Sequence, residues 1–389
     1  MYRKTFARID GDILKNNISE IKKNYDNYEY YIGVVKNNAY NHGIHVVNDL
    51  IEGGINYLAV SSLEEAIEIR KYNMDIPILC LEPIEMEYIY DAINNNVTIT
   101  IEALDYLEEL NSLKLKDVIK IHLKVDSGMN RLGFKSAKYL NKAIQIIGDN
   151  KKLYLEGIYS HFATSGVSDK KWDLQLENFQ KITKDVNLNT IPIVHLGRSL
   201  TLVNHPKISF CNGIRLGIVM FGFAQNMSKG NFLQEARRNM LIQKYNISDT
   251  YRTNSLRLRT AFSLYSKVIS IRKIKEGEFV GYNANFVAKE STYIATLPVG
   301  YADGVTKEYQ CVSIKGKKYE IVADTMDMIM VKVDKSVKVG DKVEIFGDNI
   351  KIPDVTAKLG INAYHLFNQI TNRVPRVHVK EGFEEEIKY

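Results

Sequence analysis

A chain of 389 residues with 45% hydrophobic content is long enough for two domains, each able to bury a core of its own. Its formal charge of +6, from 52 basic and 46 acidic residues spread along the chain, concentrates no basic surface for nucleic acid, and three distant cysteines (Cys80, Cys211, Cys311) exclude a disulfide framework or a cysteine-based metal site. The amino terminus carries no apolar signal core and no stretch approaches the roughly 18 apolar residues of a bilayer span, so the expectation is a cytoplasmic protein with no membrane partner.

From residue 30 to about 220, short apolar, β-branched runs alternate with longer amphipathic stretches, the pattern of repeated strand-helix units around a parallel sheet. Candidate strands are 31–35, 57–60, 76–81, 97–101, 119–125, 155–159, 191–195 and 211–216, with helical intervals such as 62–72 and 139–147. Eight strands fit a closed (β/α)8 barrel of the TIM type, whose reacting groups stand at the carboxyl ends of the strands. An open doubly wound sheet shares this periodicity, which does not distinguish closure from a free edge. After about residue 258 the texture changes to strands with polar turns, at 264–271, 278–280, 293–297, 312–314, 329–333 and 342–345, punctuated by Lys315-Gly316-Lys317 and Val339-Gly340-Asp341. The expected class is α/β plus β: a barrel over 1–235, a junction or insertion at 236–258 and a β-rich domain over 259–389. The polar, basic stretch 224–259, with Glu235-Ala-Arg-Arg238 and the run 246–254, shows no clear strand pattern.

Val34-Val-Lys-Asn-Asn-Ala-Tyr-Asn-His-Gly43 ends the first barrel strand with Lys36 and runs into a polar turn. A lysine at a strand end is ordinarily a solvated surface group. Its chemical alternative is Schiff-base formation, for which an amine whose pKa falls on partial desolvation is suited. Lys124-Val-Asp-Ser-Gly-Met-Asn-Arg-Leu-Gly133 puts two basic groups and a carboxylate at the mouth of the fifth strand, either as a structural charge cluster or as an anion site around Arg131. Strands six, seven and eight end in Tyr159-Ser-His-Phe-Ala-Thr164, His195-Leu-Gly-Arg-Ser199 and Arg215-Leu-Gly-Ile218. Barrels often bind phosphate with the loops after strands seven and eight, which makes Ser199, Gly217 and Ile218 phosphate candidates on position alone. His161 and His195 read more readily as packed, hydrogen-bonded residues than as proton carriers.

Together these segments resemble the alanine racemase family, in order and over nearly the whole chain, from Lys36 to Arg376. The family's cofactor-lysine motif is matched by Lys36-Asn-Asn-Ala-Tyr-Asn-His-Gly43 and its arginine motif by Asp126-Ser-Gly-Met-Asn-Arg131. Ser160-His-Phe-Ala163, Arg215-Leu-Gly-Ile218, Val299-Gly-Tyr-Ala-Asp-Gly304, Met326-Asp327 and Arg373-Val-Pro-Arg376 match further. The resemblance implies an amino-terminal barrel, a carboxy-terminal β domain, pyridoxal 5′-phosphate as cofactor and a homodimer with a shared active site. It implies that Lys36 holds the cofactor and serves as base on one face of the substrate Cα, while Tyr282 from the second subunit serves the other face. Arg215 would face the cofactor's ring nitrogen, and His161 would support the ring and Arg215. Tyr40, Ser199, Gly217, Ile218 and Tyr364 would bind its phosphate. Arg131 and the Met326 backbone would hold the substrate carboxylate, with Lys124, often carbamylated in the family, and Asp327 in support. No metal is implied.

Four departures stand out: Asn41 where the family has glycine, Arg198 where it has asparagine, Asn-Ala-Asn-Phe after Tyr282, and the length of 224–259. They leave both bases and both arginines in place, so the reaction is expected to be racemisation, of alanine first and of serine or another amino acid as the alternative. A barrel decarboxylase on the same cofactor would set a carboxylate opposite the ring nitrogen, where Arg215 stands; a cofactor carrier would need neither the β domain nor Tyr282.

Overall fold

Runs of β-branched residues buried on both faces need covering on both faces, and parallel strands joined by helices supply that cover. The computed structural model describes residues 2–165, 170–223, 240 and 256–387. It divides into two units, Leu14–Ala39 with Val47–Arg259, and Met1–Ile13, Tyr40–Val46 and Thr260–Tyr389. Strand β1 (Phe6–Asp10) opens the second of these.

The first unit is built on β2 (Tyr30–Val34), β3 (Tyr57–Val60), β4 (Ile78–Cys80), β5 (Val97–Ile101), β6 (Ile119–Lys124), β7 (Leu153–Tyr159), β8 (Ile193–His195) and β9 (Gly213–Leu216). Every neighbouring pair from β2 to β8 is parallel, and β9 pairs in parallel with β2. The ring closes between β8 and β9, where Arg198 and Arg215 form a parallel bridge and Asn212 N–H donates to Val194 O at 3.2 Å. The eight expected strands are therefore all present, and they form a barrel rather than an open sheet. Helices such as Leu63–Arg70, Leu104–Ser112 and Ala137–Asp149 turn their leucine, isoleucine and alanine positions inward against it. On β7 the register against β6 slips: Ile121 opposes Leu155, but His122 opposes Gly157, leaving Glu156 as an extra, bulged residue.

Directly after β2, Asn37, Asn38, Ala39, Tyr40 and Asn41 all have φ between +51° and +67°, so the Lys36–Asn41 segment coils left-handed. That hand costs L-residues roughly 1–2 kcal/mol each, and asparagine, three of the five here, tolerates it best among non-glycine residues. Such strain persists only where surrounding contacts over-determine it.

The second unit adds β10 (Phe262–Lys267), β11 (Ser270–Ile274), β12 (Phe279–Val280), β13 (Phe286–Val287), β14 (Thr292–Leu297), β15 (Cys311–Ile314), β16 (Lys317–Asp324), β17 (Ile329–Val333), β18 (Lys342–Phe346), β19 (Arg376–Lys380) and β20 (Phe383–Ile387). All but the β12-β13 ribbon join one sheet in the order β11-β14-β17-β16-β15-β18-β10-β1-β19-β20. The run expected as one strand over 264–271 is two, β10 and β11. The Lys315-Gly316 signal is a hairpin turn with both residues at positive φ (53° and 79°).

Asn41 ties this unit together. Its Nδ2 donates to the carbonyls of Phe367 (2.5 Å) and Ile370 (2.6 Å), and its own carbonyl accepts from Nε of the fully buried Arg376 (3.3 Å). Arg376 also donates to Thr371 O, Val374 O and Ile370 O. The helix Ala363–Gln369 is thereby anchored, with the ring of Tyr364 at 5.3 Å from that of Tyr40. Of the expected junction 236–258, only 240 and 256–258 are among the described residues; Glu235-Ala-Arg-Arg238 and 246–254 lie outside them.

Candidate active site

Parallel strands put all their carboxyl ends at one mouth of the barrel, and the sequence delivers its reactive side chains there. Lys36 follows β2, Lys124 ends β6, His161 follows β7, Ser199 follows β8, and Arg215 lies on β9 with Gly217 and Ile218 just beyond. Arg131 sits exposed on the loop after β6. Asp126 shapes that loop by accepting the backbone N–H groups of Gly128 and Asn130, both at 3.0 Å, and Phe134 N–H closes it on Lys124 O at 2.9 Å. Gly133, at φ +125°, is required there, because a Cβ would stand 2.6 Å from Asp126 N.

Arg215 is buried, and its guanidinium is held by neutral acceptors. Nη1 donates to His195 Nδ1 (2.6 Å) and His195 O (2.8 Å); Nη2 donates to Ser160 O (2.7 Å) and Leu196 O (2.9 Å), with His161 Nδ1 at 3.3 Å. The four Nη hydrogens are thus engaged, while Nε–H has no acceptor among the described residues. No carboxylate among them contacts this cation. Burial first, and Arg198 and Arg131 after it, bring its pKa down to about 10, so it remains protonated at neutral pH.

The buried ring of Tyr159 lies beneath two cations, Arg215 (5.4 Å) and Lys124 (5.3 Å), and stacks on His195 at 4.9 Å. Burial, then the charges of Arg131 and Arg215, lower Lys124 to about 8. His161 is pushed well down by burial and by Arg215, Arg131 and Arg198, which keeps its ring neutral. Ser199 Oγ accepts Gly217 N–H at 2.9 Å, joining the ends of β8 and β9 where barrels often hold a phosphate.

The second unit carries the other candidates. Tyr282 stands at the tip of the β12-β13 ribbon, 73% exposed, between Gly281 at φ +77° and the left-handed Asn283 and Ala284. A Cβ on Gly281 would meet Ala323 Cβ at 2.6 Å, so the ribbon lies close against β16 only with glycine there. Met326 occupies the turn between β16 and β17, its carbonyl accepting Ala302 N–H at 3.0 Å, and Asp327 Oδ1 is 2.5 Å from Arg373 Nη2. Tyr40 and Tyr364 pair as described above. Lys36, Lys124, Arg131, His161, Ser199, Arg215, Gly217 and Ile218 therefore belong to the barrel unit, and Tyr40, Tyr282, Met326, Asp327 and Tyr364 to the sheet unit.

Sequence reasoning passed over His122 and Glu156. His122 could have been found, since it precedes Lys124 by two on β6 and so shares its face of the strand. Glu156 could not, because the bulge that turns it inward has no signature in Leu153-Tyr-Leu-Glu-Gly-Ile-Tyr159.

Lys36, the buried Arg215 and the Ser199-Gly217 turn all lie at or just past the carboxyl ends of barrel strands, the usual place of the active site in a barrel enzyme. Comparison with known proteins gives this class its family. Residues 9–225 match the alanine racemase N-terminal domain and residues 261–378 the alanine racemase C-terminal domain. Alanine racemase 1 of Bacillus subtilis (strain 168) is 32% identical over 396 residues, covering 100% of this chain and 96% of that protein. The crystal structure of alanine racemase from Bacillus anthracis with bound L-Ala-P is 30% identical with a TM-score of 0.86, covering 100% of this chain and 98% of that one. A histidine racemase from Leuconostoc mesenteroides subsp. sake is 25% identical with a TM-score of 0.83, over 97% and 99% of the two chains. The fold and the comparisons define an amino-acid racemase, an isomerase. The chain belongs to the alanine racemase family.

Proposed function

We propose that this racemase interconverts L- and D-alanine with pyridoxal 5′-phosphate, as a homodimer whose active site is shared between subunits. The observation that carries the reading is Arg215: with every Nη hydrogen engaged, its Nε–H is the donor left for a ring nitrogen, at the same barrel mouth as Lys36 and the Ser199-Gly217-Ile218 cradle. These residues fit the cofactor in kind, offering an amine for its aldehyde, a permanent donor for its ring nitrogen and uncharged donors for its phosphate. Once bound, the cofactor supplies the electron sink that acidifies the substrate Cα–H.

The protein's own part is proton handling and orientation. Lys36 takes or returns the proton on one face of Cα and the partner subunit's Tyr282 does so on the other, which racemisation requires. The exposure of Tyr282 suits a residue that serves a neighbouring subunit. Arg131 and the Met326 N–H receive the substrate carboxylate, and the Asp327-Arg373 pair steadies the Met326 turn. Tyr40 and Tyr364 join Ser199, Gly217 and Ile218 at the phosphate, and His161, held neutral, supports the ring and Arg215. Carbamylation of Lys124 would turn a third cation into an anion that orients Arg131; its lowered pKa leaves more of the amine in the neutral form that adds to carbon dioxide. Because Arg215 only donates, the ring nitrogen stays largely unprotonated, which restrains the side reaction of transamination.

A second reading, racemisation of serine or another amino acid, is supported by the histidine racemase of the same fold. One experiment separates the two: cofactor-loaded protein is incubated with L-alanine, L-serine and L-histidine in turn, D-products are measured by chiral chromatography, and Lys36→Ala is the blank. Alanine is expected to turn over fastest. Absence of any D-product from cofactor-bearing protein refutes the proposal.

A further inference from the structure

Behind Arg215, inside the barrel, a line of buried groups crosses four strands. His195 Nδ1 on β8 accepts from Arg215 Nη1 on β9 at 2.6 Å. His195 Nε2 lies 3.0 Å from His122 Nδ1 on β6, and His122 Nε2 lies 3.3 Å from Glu156 Oε2 on β7. The same carboxylate oxygen accepts from Tyr57 Oη (2.6 Å) and Thr98 Oγ1 (2.8 Å). His122, His195, Thr98 and Tyr57 are at most 1% exposed.

Two features show that this line is built. Glu156 is the extra residue of the β7 bulge, which turns a side chain inward that regular alternation would aim elsewhere. Its neighbour is glycine, and it must be: a Cβ on Gly157 would stand 2.5 Å from His122 Cε1 and 2.6 Å from Nδ1. The bulge thus brings in the carboxylate while the glycine makes room for the imidazole.

The ends of the line fix the protons between them. Arginine can only donate and an ionised carboxylate can only accept. Glu156 stays ionised despite its burial because His122, Tyr57 and Thr98 face it. Burial lowers the pKa of both imidazoles; at His122 it outweighs the opposing pull of Glu156, and at both rings the charge of Arg215 adds to it. The His122 Nε2–Glu156 Oε2 approach of 3.3 Å is not aligned as a hydrogen bond, but the carboxylate is the nearest acceptor to Nε2 and its charge favours the proton there, leaving Nδ1 bare. His195 must then carry its proton on Nε2, which leaves Nδ1 bare toward Arg215. A donor in place of Glu156 would reverse both rings and set two N–H groups against each other at Arg215.

We propose that Glu156 is a positioning residue that acts on Arg215 through His122 and His195, fixing both imidazoles as Nε2–H tautomers so that Arg215 is held with Nε–H directed to the barrel mouth. The inference rests on the reading that Arg215 faces the cofactor's ring nitrogen.

The test uses the full-length enzyme labelled with 15N-histidine, with His122→Asn and His195→Asn to assign signals in magic-angle-spinning NMR. Both residues are expected as neutral rings protonated at Nε2. Glu156→Gln, which keeps the shape but adds a donor, is expected to mix the tautomers and to lower kcat about tenfold with KM held within about twofold, since the substrate carboxylate is bound elsewhere. An Nδ1–H tautomer or an imidazolium at either residue in the wild type overturns the proposal, as does a Glu156→Gln enzyme with unchanged tautomers and kcat. If that variant fails to fold, the wild-type tautomers decide alone. They can also be read in cofactor-free protein, so failure of the cofactor reading and failure of the proton line are distinguishable.

Discussion

Replacing Asn41 by glycine isolates what its side chain contributes. The variant loses the two bonds from Nδ2 to Phe367 O and Ile370 O. Neither carbonyl is orphaned, since Ile370 O keeps Arg376 Nη2 at 2.9 Å and Phe367 O keeps Ile370 N–H at 3.2 Å. The cost is therefore the net value of two hydrogen bonds, about 1 kcal/mol each, not a desolvation penalty. Glycine adds about 0.5–1 kcal/mol of unfolded-state freedom, and relief at φ +67° offsets part of that, for a total of about 2 kcal/mol. Alanine loses the same bonds and keeps the left-handed penalty, roughly 1–2 kcal/mol, so it is expected to be the worse of the two. Thermal melts followed by circular dichroism should show Asn41→Gly lowered by about 4–8 °C, at 2–4 °C per kcal/mol for a unit of this size, and Asn41→Ala lower still. An Asn41→Gly protein that melts within about 1 °C of the wild type would refute the argument, and an alanine variant more stable than the glycine one would show that the backbone at 41 is not left-handed.

Other consequences can be measured independently. Gly157→Ala drives a methyl into the His122 ring, and overpacking of this kind should cost about 1–3 kcal/mol in the same melts; an unshifted melt would mean that the bulge does not hold the ring there. Glu156 has its folded pKa depressed from 4.5 to about 2: burial opposes ionisation, and His122, Tyr57 and Thr98 overcome it, with Lys120 and Tyr30 also near. Its stabilisation is thus complete above about pH 4.5 and is lost as pH falls toward 2, so Glu156→Gln should flatten the stability profile in that window, and an unchanged slope there would contradict the assignment. At pH 7 an amine of pKa about 8 is roughly one-tenth neutral, against a few parts in ten thousand for an unperturbed lysine; 13C-labelled carbon dioxide should therefore give a carbamate NMR signal that Lys124→Arg abolishes. Arg215→Glu is expected to raise the transamination half-reaction at least tenfold, and an unchanged rate would show that the ring nitrogen is not controlled there.

The barrel was legible because its strands are short, apolar and separated by helices, so each announces itself locally; all eight fall where the runs predict them. The sheet unit was less so. Strand β1 has five residues and pairs antiparallel with β10 and parallel with β19, partners more than two hundred residues away. Strand β16 begins Lys-Lys and β20 reads Phe-Glu-Glu-Glu-Ile, charged patterns that pair as strands only because a neighbour supplies the ladder. The motifs place Lys36, Lys124, Ser199 and Arg215 at or just past the carboxyl ends of barrel strands, where the structure has them. What they could not show is set by backbone irregularity: five successive positive φ values after Lys36, and the extra residue that brings Glu156 inside.

These irregularities bear on how the barrel keeps a cation in its interior. A carboxylate placed directly on Arg215 would neutralise it, and carbonyls alone would leave the buried charge without any counterpart. Four carbonyl and imidazole acceptors at 2.6–2.9 Å satisfy the guanidinium, and the carboxylate of Glu156 stands two imidazoles away, beside Lys120, where it does not compete for Nε–H. A regular β7 would lack the residue that completes the line from Arg215 to Glu156, so the bulge is part of how the barrel surrounds this cation.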